Sequence, residues 1–218
     1  MLCCRAPIVA LHGYLGSPAD WEAFDVIAPR IPPSIDQIHL PQGSILMGYS
    51  MGGRIALEIA AKNPSAYRGL ILIGVNPGLE PKEVAARKKF ENHWLQIFKT
   101  TPYKKALELW YSQPLFDSLR ASSYFEDLLA RRLADPSPWQ YMENYRLKKL
   151  SIPQLPTLYV FGEHDLKYAQ IAKHFKNRLM IPGTGHAPHL ENPQLFSAQV
   201  AYYFGQSNNE LSNPARLQ

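Results

Sequence analysis

Residues 44–54 read SILMGYSMGGR: an apolar run closing on Gly48-Tyr49-Ser50-Met51-Gly52 and passing straight into a helical pattern over 51–63. A short apolar run bounded by glycine reads as a buried strand. A serine between strand and helix must sit on a sharp, strained turn, and its flanking positions must be small to avoid clashes. Ser50 Oγ then projects above the sheet at a helix N-terminus, where the dipole favours developing negative charge.

Outward from this turn the same alternation recurs. Residues 8–11 (IVAL), 70–75 (LILIGV), 157–162 (TLYVFG) and 178–181 read as further strands, and 193–204 as a last helix. Ser17-Pro18-Ala19-Asp20 opens a helical pattern with Trp21, Phe24, Val26 and Ile27 on one side. Strands and helices in alternation imply βαβ units and an α/β fold with a mostly parallel sheet, helices on both faces. Residues 79–155 differ: they are helical in period, carry Trp94, Trp110, Tyr111, Phe116 and Trp139, and contain no strand pattern. The expected organisation is a core of 1–78 and 156–204, a helical cap inserted at 79–155, and a polar tail, 205–218, expected to be disordered.

The 218 residues suit one domain with an insertion. With 46% hydrophobic and 19% charged residues, a disordered or fibrous chain is excluded. No apolar window is long enough to span a bilayer, and MLCCRAPIVALHG has none of the parts of a signal peptide. Adjacent Cys3 and Cys4 make neither a disulfide framework nor, alone, a metal site; the expectation is two reduced thiols in a cytoplasmic protein. The net charge of +5 and pI near 9.1 raise nucleic acid as a partner, but no basic stripe or binding module accompanies them. Segment 79–155 holds 13 Lys and Arg against 9 Asp and Glu, net +4, leaving +1 elsewhere. A surplus over the Ser50 end of the sheet points to a small anionic metabolite. The expectation is a monomer without nucleic-acid or membrane partners.

A serine hydroxyl is a poor nucleophile or base unless a neighbour takes its proton, and a histidine doing so needs a carboxylate to fix its tautomer. Asp165 follows the fourth strand in FGEHD, with Glu163 as the alternative acid; His186 lies in PGTGHAPH, with His189 as its rival. The order Ser, acid, His fits a hydrolase-like triad. The plainer alternatives are a helix cap for Asp165 and a backbone-bonded loop residue for His186. An oxyanion or enolate needs preorganised donors, and the backbone N–H groups of Tyr14 and Met51 are the natural pair. His12 reads as a loop brace. His39, His93, His164 and His174 show no ligand spacing, so neither a metal nor a cofactor is expected.

LHGYLGS, GYSMGGRIAL, FGEHD and GTGHAPHLENP resemble the α/β-hydrolase superfamily. Within it, Arg54 after the glycines, NPGL, WYSQPLF, GEHDLKY and GHAPHLENP are similar to the 2-succinyl-6-hydroxy-2,4-cyclohexadiene-1-carboxylate synthases of menaquinone biosynthesis, from about Ile8 to Phe204. The resemblance implies a carbon–oxygen lyase whose triad starts a proton abstraction, after which pyruvate leaves a multi-carboxylate cyclohexene. It implies that Arg54, Arg131 (with Arg132 beside it), Tyr49, Trp110 and Phe116 bind substrate. A serine esterase or thioesterase working through an acyl-enzyme, and a degenerate fold serving as a binding module, are the alternatives.

The chain departs from this family at two places. Relatives carry an arginine two residues before Trp94, where this chain has Asn92, so an anion clamp is lost or moved to Arg87 or Lys88. Relatives also place a strand, a glycine turn and a helix before the nucleophile strand. Here only Ile35–Leu40, Pro41-Gln42-Gly43 and Ser44 intervene, too few residues for a parallel crossover. The expectation is a sheet trimmed at that edge, with the helix missing.

Overall fold

The computed structural model describes residues 6–146 and 149–211. Five parallel strands, β1 (Ile8–Leu11), β2 (Ile45–Tyr49), β3 (Gly69–Ile73), β4 (Thr157–Gly162) and β5 (Asn177–Ile181), pair in the order of the sequence. Successive side chains leave opposite faces of a strand, and both faces here are covered. Val9, Leu11, Leu46, Leu70, Leu72 and Tyr159 pack against α1 (Met51–Lys62) and α7 (Leu166–Ala172). Ala10, Met47, Ile71, Ile73, Leu158 and Val160 face Trp21 and, on α9 (Pro193–Leu211), Phe196 and Val200. Burial on both faces is why β1 to β4 read as continuous apolar runs, whereas β5, at the sheet edge, alternates half-buried and exposed positions before Ile181.

The sheet is trimmed as expected, but the strand remnant lies elsewhere. Residues 35–37 form a 3-10 turn. It is Ile27 that pairs with the free edge of β1: its N–H donates to Ile8 O at 2.9 Å and its carbonyl accepts from Ala10 N at 2.8 Å. Between residues 22 and 44 there is no α-helix. The helix expected after Ser17 is only a 3-10 turn at Pro18–Trp21. Trp21 and Phe24 turn into the core, while β-branched Val26 and Ile27 suit the extended edge segment that follows. The connection then crosses to the other face, where Ile31, Ile35 and Ile38 join the α1 side.

Between β3 and β4 the described residues hold only helices: α2 (Pro81–Thr100), α3 (Tyr103–Tyr111), α4 (Asp117–Ala121), α5 (Phe125–Ala134) and α6 (Tyr141–Asn144), with a 3-10 turn at Pro114–Phe116. Leu150 N–H donating to Pro77 O at 2.8 Å ties the base of this cap together. A short α8 (Pro188–Glu191) precedes α9, which runs past the expected end at 204 to Leu211. The expected tail is thus helical over 205–211, and 212–218, like Cys3 and Cys4, lies outside the described residues. Among the described residues no helix is long and apolar enough to cross a membrane.

Candidate active site

Ser50 stands between β2 and α1 at φ 50°, ψ −108°, a conformation that L-residues rarely adopt and that marks a stored strain. The glycines around it are required by close approach. A Cβ on Gly52 would lie 2.2 Å from Leu11 O, and one on Gly48 would lie 2.5 Å from Gly53 Cα. No side chain fits at either position, so the turn can lie hard against β1.

His186, buried, places Nδ1 2.7 Å from Asp165 Oδ2. The carboxylate fixes the tautomer: Nδ1–H donates, and Nε2 is left as the acceptor that a serine proton needs. Asp165 is at once the N-cap of α7, its Oδ1 accepting from Tyr168 N at 3.3 Å. The cap reading and the triad reading of Asp165 therefore both hold, one oxygen for each. Glu163 is excluded as the acid, because it is exposed and accepts from Gly183 N at 2.8 Å. His189 is no rival to His186: it is stacked on Trp21, ring centroids 4.5 Å apart, away from the cavity lining. His12 is the expected brace, its Nδ1 on Gly13 O at 2.9 Å and its Nε2 accepting from Ile31 N at 3.4 Å.

A cavity of about 100 Å3 brings together Ser50, His186, Tyr14, Met51, Tyr49, Arg54, Arg87, Trp110 and Phe116 from the sequence reading. Tyr14 and Met51, the expected oxyanion pair, line the cavity with Ser50. Trp110 and Phe116, ring centroids 6.0 Å apart, roof it from the cap, and Tyr14 packs on Trp110 at 4.9 Å.

Arg131 is a correction. It does not line the cavity, and its Nε is buried without a hydrogen-bond partner. Its neighbour Arg132 lines the cavity instead. One residue along α5 is about 100° around the helix axis, enough to decide which guanidinium faces inward. Arg132 is held by Asp20 in a two-pronged pair, 2.7 Å at each oxygen, and its Nε reaches Tyr111 Oη at 3.3 Å. Burial works against its charge, and these partners more than offset it, holding the guanidinium above its usual range.

Arg54, one turn into α1, donates Nη1 to Tyr145 O at 3.1 Å. Burial, and secondarily Arg87, push it down to about 10, still charged at neutral pH. Arg87 donates Nε to Glu91 Oε1 at 2.8 Å and lines the cavity, whereas Lys88 does not. Asn92 accepts from Arg146 Nη2 at 3.2 Å, and Arg146 Nη1 also lies 3.5 Å from Glu91 Oε2. Glu91, buried between Arg87 and Arg146, thus organises the basic wall.

Sequence reasoning missed Glu191. It accepts from Gly185 N at 2.6 Å and from Ala187 N at 3.0 Å, the two amides that bracket His186, and Ser118 of the cap donates to it as well. The only hint was its place in GHAPHLENP. Tyr168, whose ring lies 4.5 Å from that of His186, was missed too.

The sequence profile described as the alpha/beta hydrolase family matches residues 5–199. A 2-succinyl-6-hydroxy-2,4-cyclohexadiene-1-carboxylate synthase of Enterobacter sp. (strain 638) is 33% identical, with 89% of this chain and 90% of the relative covered. One of Serratia proteamaculans (strain 568) is 31% identical, covering 96% and 94%. Among solved structures, MenH from S. aureus superposes with a TM-score of 0.76 at 23% identity, covering 93% of this chain and 94% of that one. A thermophilic esterase from Thermogutta terrifontis gives 0.69 at 19%, covering 93% and 90%.

Proposed function

We propose, from the premise that the chain belongs to the alpha/beta hydrolase family, that it is a carbon–oxygen lyase of menaquinone biosynthesis. Ser50, its proton drawn toward His186 Nε2, takes a proton from a multi-carboxylate cyclohexene. The freed C–H pair becomes ring unsaturation as a C–O bond breaks, and the enolate of pyruvate departs with the oxygen and its electron pair, taking up on carbon the proton that His186 holds. Asp165 steadies the imidazolium formed on the way. The amides of Tyr14 and Met51 stabilise the enolate oxygen, and dipoles already in place act without reorganising. No acyl-enzyme forms, and neither metal nor cofactor takes part.

The observation that carries this reading is the company Ser50 keeps. Arg54, Arg87 and Arg132 line its cavity, the latter two held by the carboxylates of Glu91 and Asp20, which leaves a net positive wall, where an esterase for neutral substrates has no use for one. Guanidinium groups match carboxylates in geometry as well as charge. The names of the similar synthases agree. A cytoplasmic monomer acting on a small anionic metabolite completes the proposal.

The experiment is pyruvate release from the menaquinone precursor beside hydrolysis of a p-nitrophenyl ester. Turnover of the precursor is expected; efficient ester hydrolysis with none on the precursor would establish the esterase instead. Arg54→Ala is expected to cost at least tenfold more on the precursor than on the ester, since one charged hydrogen bond contributes about 1.5–3 kcal/mol. Equal losses would make Arg54 a support of the turn.

A further inference from the structure

A second cleft, about 520 Å3 in volume, lies against α1 beside the catalytic cavity. Ser34, Ile35, Glu58, Asn144 and Arg146 are among its walls, and Arg54 and Met51 line both spaces. The side chains of Arg54 and Met51 therefore stand between the cavity that holds Ser50 and this cleft. The cleft accompanies the trimmed segment. Along this cleft the chain that leads into β2 carries one 3-10 turn, Ile35–Gln37, and no covering helix. The segment is pinned by the cap: Tyr141 Oη donates to Ile31 O at 2.6 Å, Tyr145 Oη to Pro32 O, and Asn144 Nδ2 to Pro33 O at 2.9 Å. Three successive carbonyls held in this way make the walls a fixed feature of the fold.

We propose that this cleft is a port through which a short monocarboxylate, the small product of the elimination, leaves the catalytic cavity past Arg54 while the ring product stays beneath the cap. The proposal rests on the elimination reading above. Among the described residues Arg54 is the one cation common to both spaces, and its long, flexible side chain lines each of them. Its bond to Tyr145 O holds it at the boundary. Burial weakens its hold on the proton, so a carboxylate beside it relieves a desolvated charge.

The test is to close the mouth. Ser34 is an exposed residue of the segment that leads into β2, and Ser34→Trp fills the cleft; Gln37→Trp adds the same bulk to the same 3-10 turn, away from the cleft lining. Pyruvate binding is measured by calorimetric titration on the intact protein, and turnover on the menaquinone precursor. Ser34→Trp is expected to weaken pyruvate binding at least fivefold and to lower kcat with kcat/KM held, while Gln37→Trp matches the parent in both. The proposal is overturned if the parent binds no pyruvate, if the two variants bind it equally, or if kcat/KM falls as far as kcat, which would assign the cleft to substrate admission. Should the parent release no pyruvate from the precursor, the elimination reading fails, and the titration still decides whether this cleft takes a monocarboxylate.

Discussion

His189 stands three residues past His186, 1% exposed, with neither ring nitrogen hydrogen-bonded. Burial pushes it down to about 3 from an ordinary 6.5. Above pH 6.5 the residue is neutral folded or unfolded and adds nothing. Between pH 6.5 and 3 the unfolded chain binds a proton that the folded chain refuses, so stability falls as pH falls, by several kcal/mol across the window. His189→Phe keeps the stacking on Trp21 and removes both orphaned nitrogens. It is expected to be at least as stable as the parent at pH 7.5 and to flatten the acid limb of urea midpoints between pH 7 and 4.5, with His12, also pushed down by burial, supplying the remainder. An unchanged limb would assign the sensitivity elsewhere. At this scale the sequence was legible wherever covalent order limits the options: Ser50 by its glycines, Asp165 and His186 by their places after strands. His186 and His189 stand three residues apart, and only the fold pairs the first with Asp165 and stacks the second, on α8, against Trp21, so chemistry alone left both open. Arg131 and Arg132 defeated the reading for a similar reason. Distance from WYSQPLF locates a helix turn, not the face of it that meets the cavity.

Among the connections between cap and core are two that no local pattern announced, because both join residues over a hundred positions apart. One is Asp20–Arg132, between the first 3-10 turn and α5. The other is the pinning of residues 31–33 by α6. Both hold the segment between β1 and β2, which was the hardest to read. Its spacing at Trp21 and Phe24 suggests a helix, but the chain needs an extended stretch there to reach the edge of β1, and tertiary pairing at Ile27 overrides propensity. Strands β1 to β4 were legible to within a residue or so because burial on both faces leaves an unbroken apolar signature. Breaking the ion pair by Asp20→Ala strands a buried guanidinium and is expected to cost about 3–5 kcal/mol of unfolding free energy. The double variant Asp20→Leu/Arg132→Met, in which no charge is buried, is expected to regain most of that loss in urea unfolding. Activity on the precursor is expected to stay low, because the cavity has lost its Arg132. Recovery of activity along with stability would show that Arg132 only anchors the cap and does not hold substrate.

Over the whole molecule the decisive asymmetry is electrostatic. Of the net charge of +5, +4 belongs to residues 79–155, the segment that folds over Ser50. A field of one sign above a cleft raises the capture rate of an oppositely charged ligand, by roughly tenfold or more at low salt. Salt removes the effect, since the Debye length falls from about 10 Å at 0.1 M to about 3 Å at 1 M. For the multi-carboxylate precursor, kcat/KM is therefore expected to fall roughly threefold or more between 0.02 and 0.5 M sodium chloride. For a neutral p-nitrophenyl ester it is expected to stay level. Lys88 and Lys89 are exposed on α2 and lie outside the catalytic cavity lining, so Lys88→Glu/Lys89→Glu reverses the local field and spares the chemistry. That variant is expected to show a lower kcat/KM at low salt, a flatter salt dependence, and an unchanged kcat at saturation. Parallel salt slopes for the two substrates would mean that the surplus is a solvated surface, and that affinity for the anion comes from Arg54, Arg87 and Arg132 at contact distance alone.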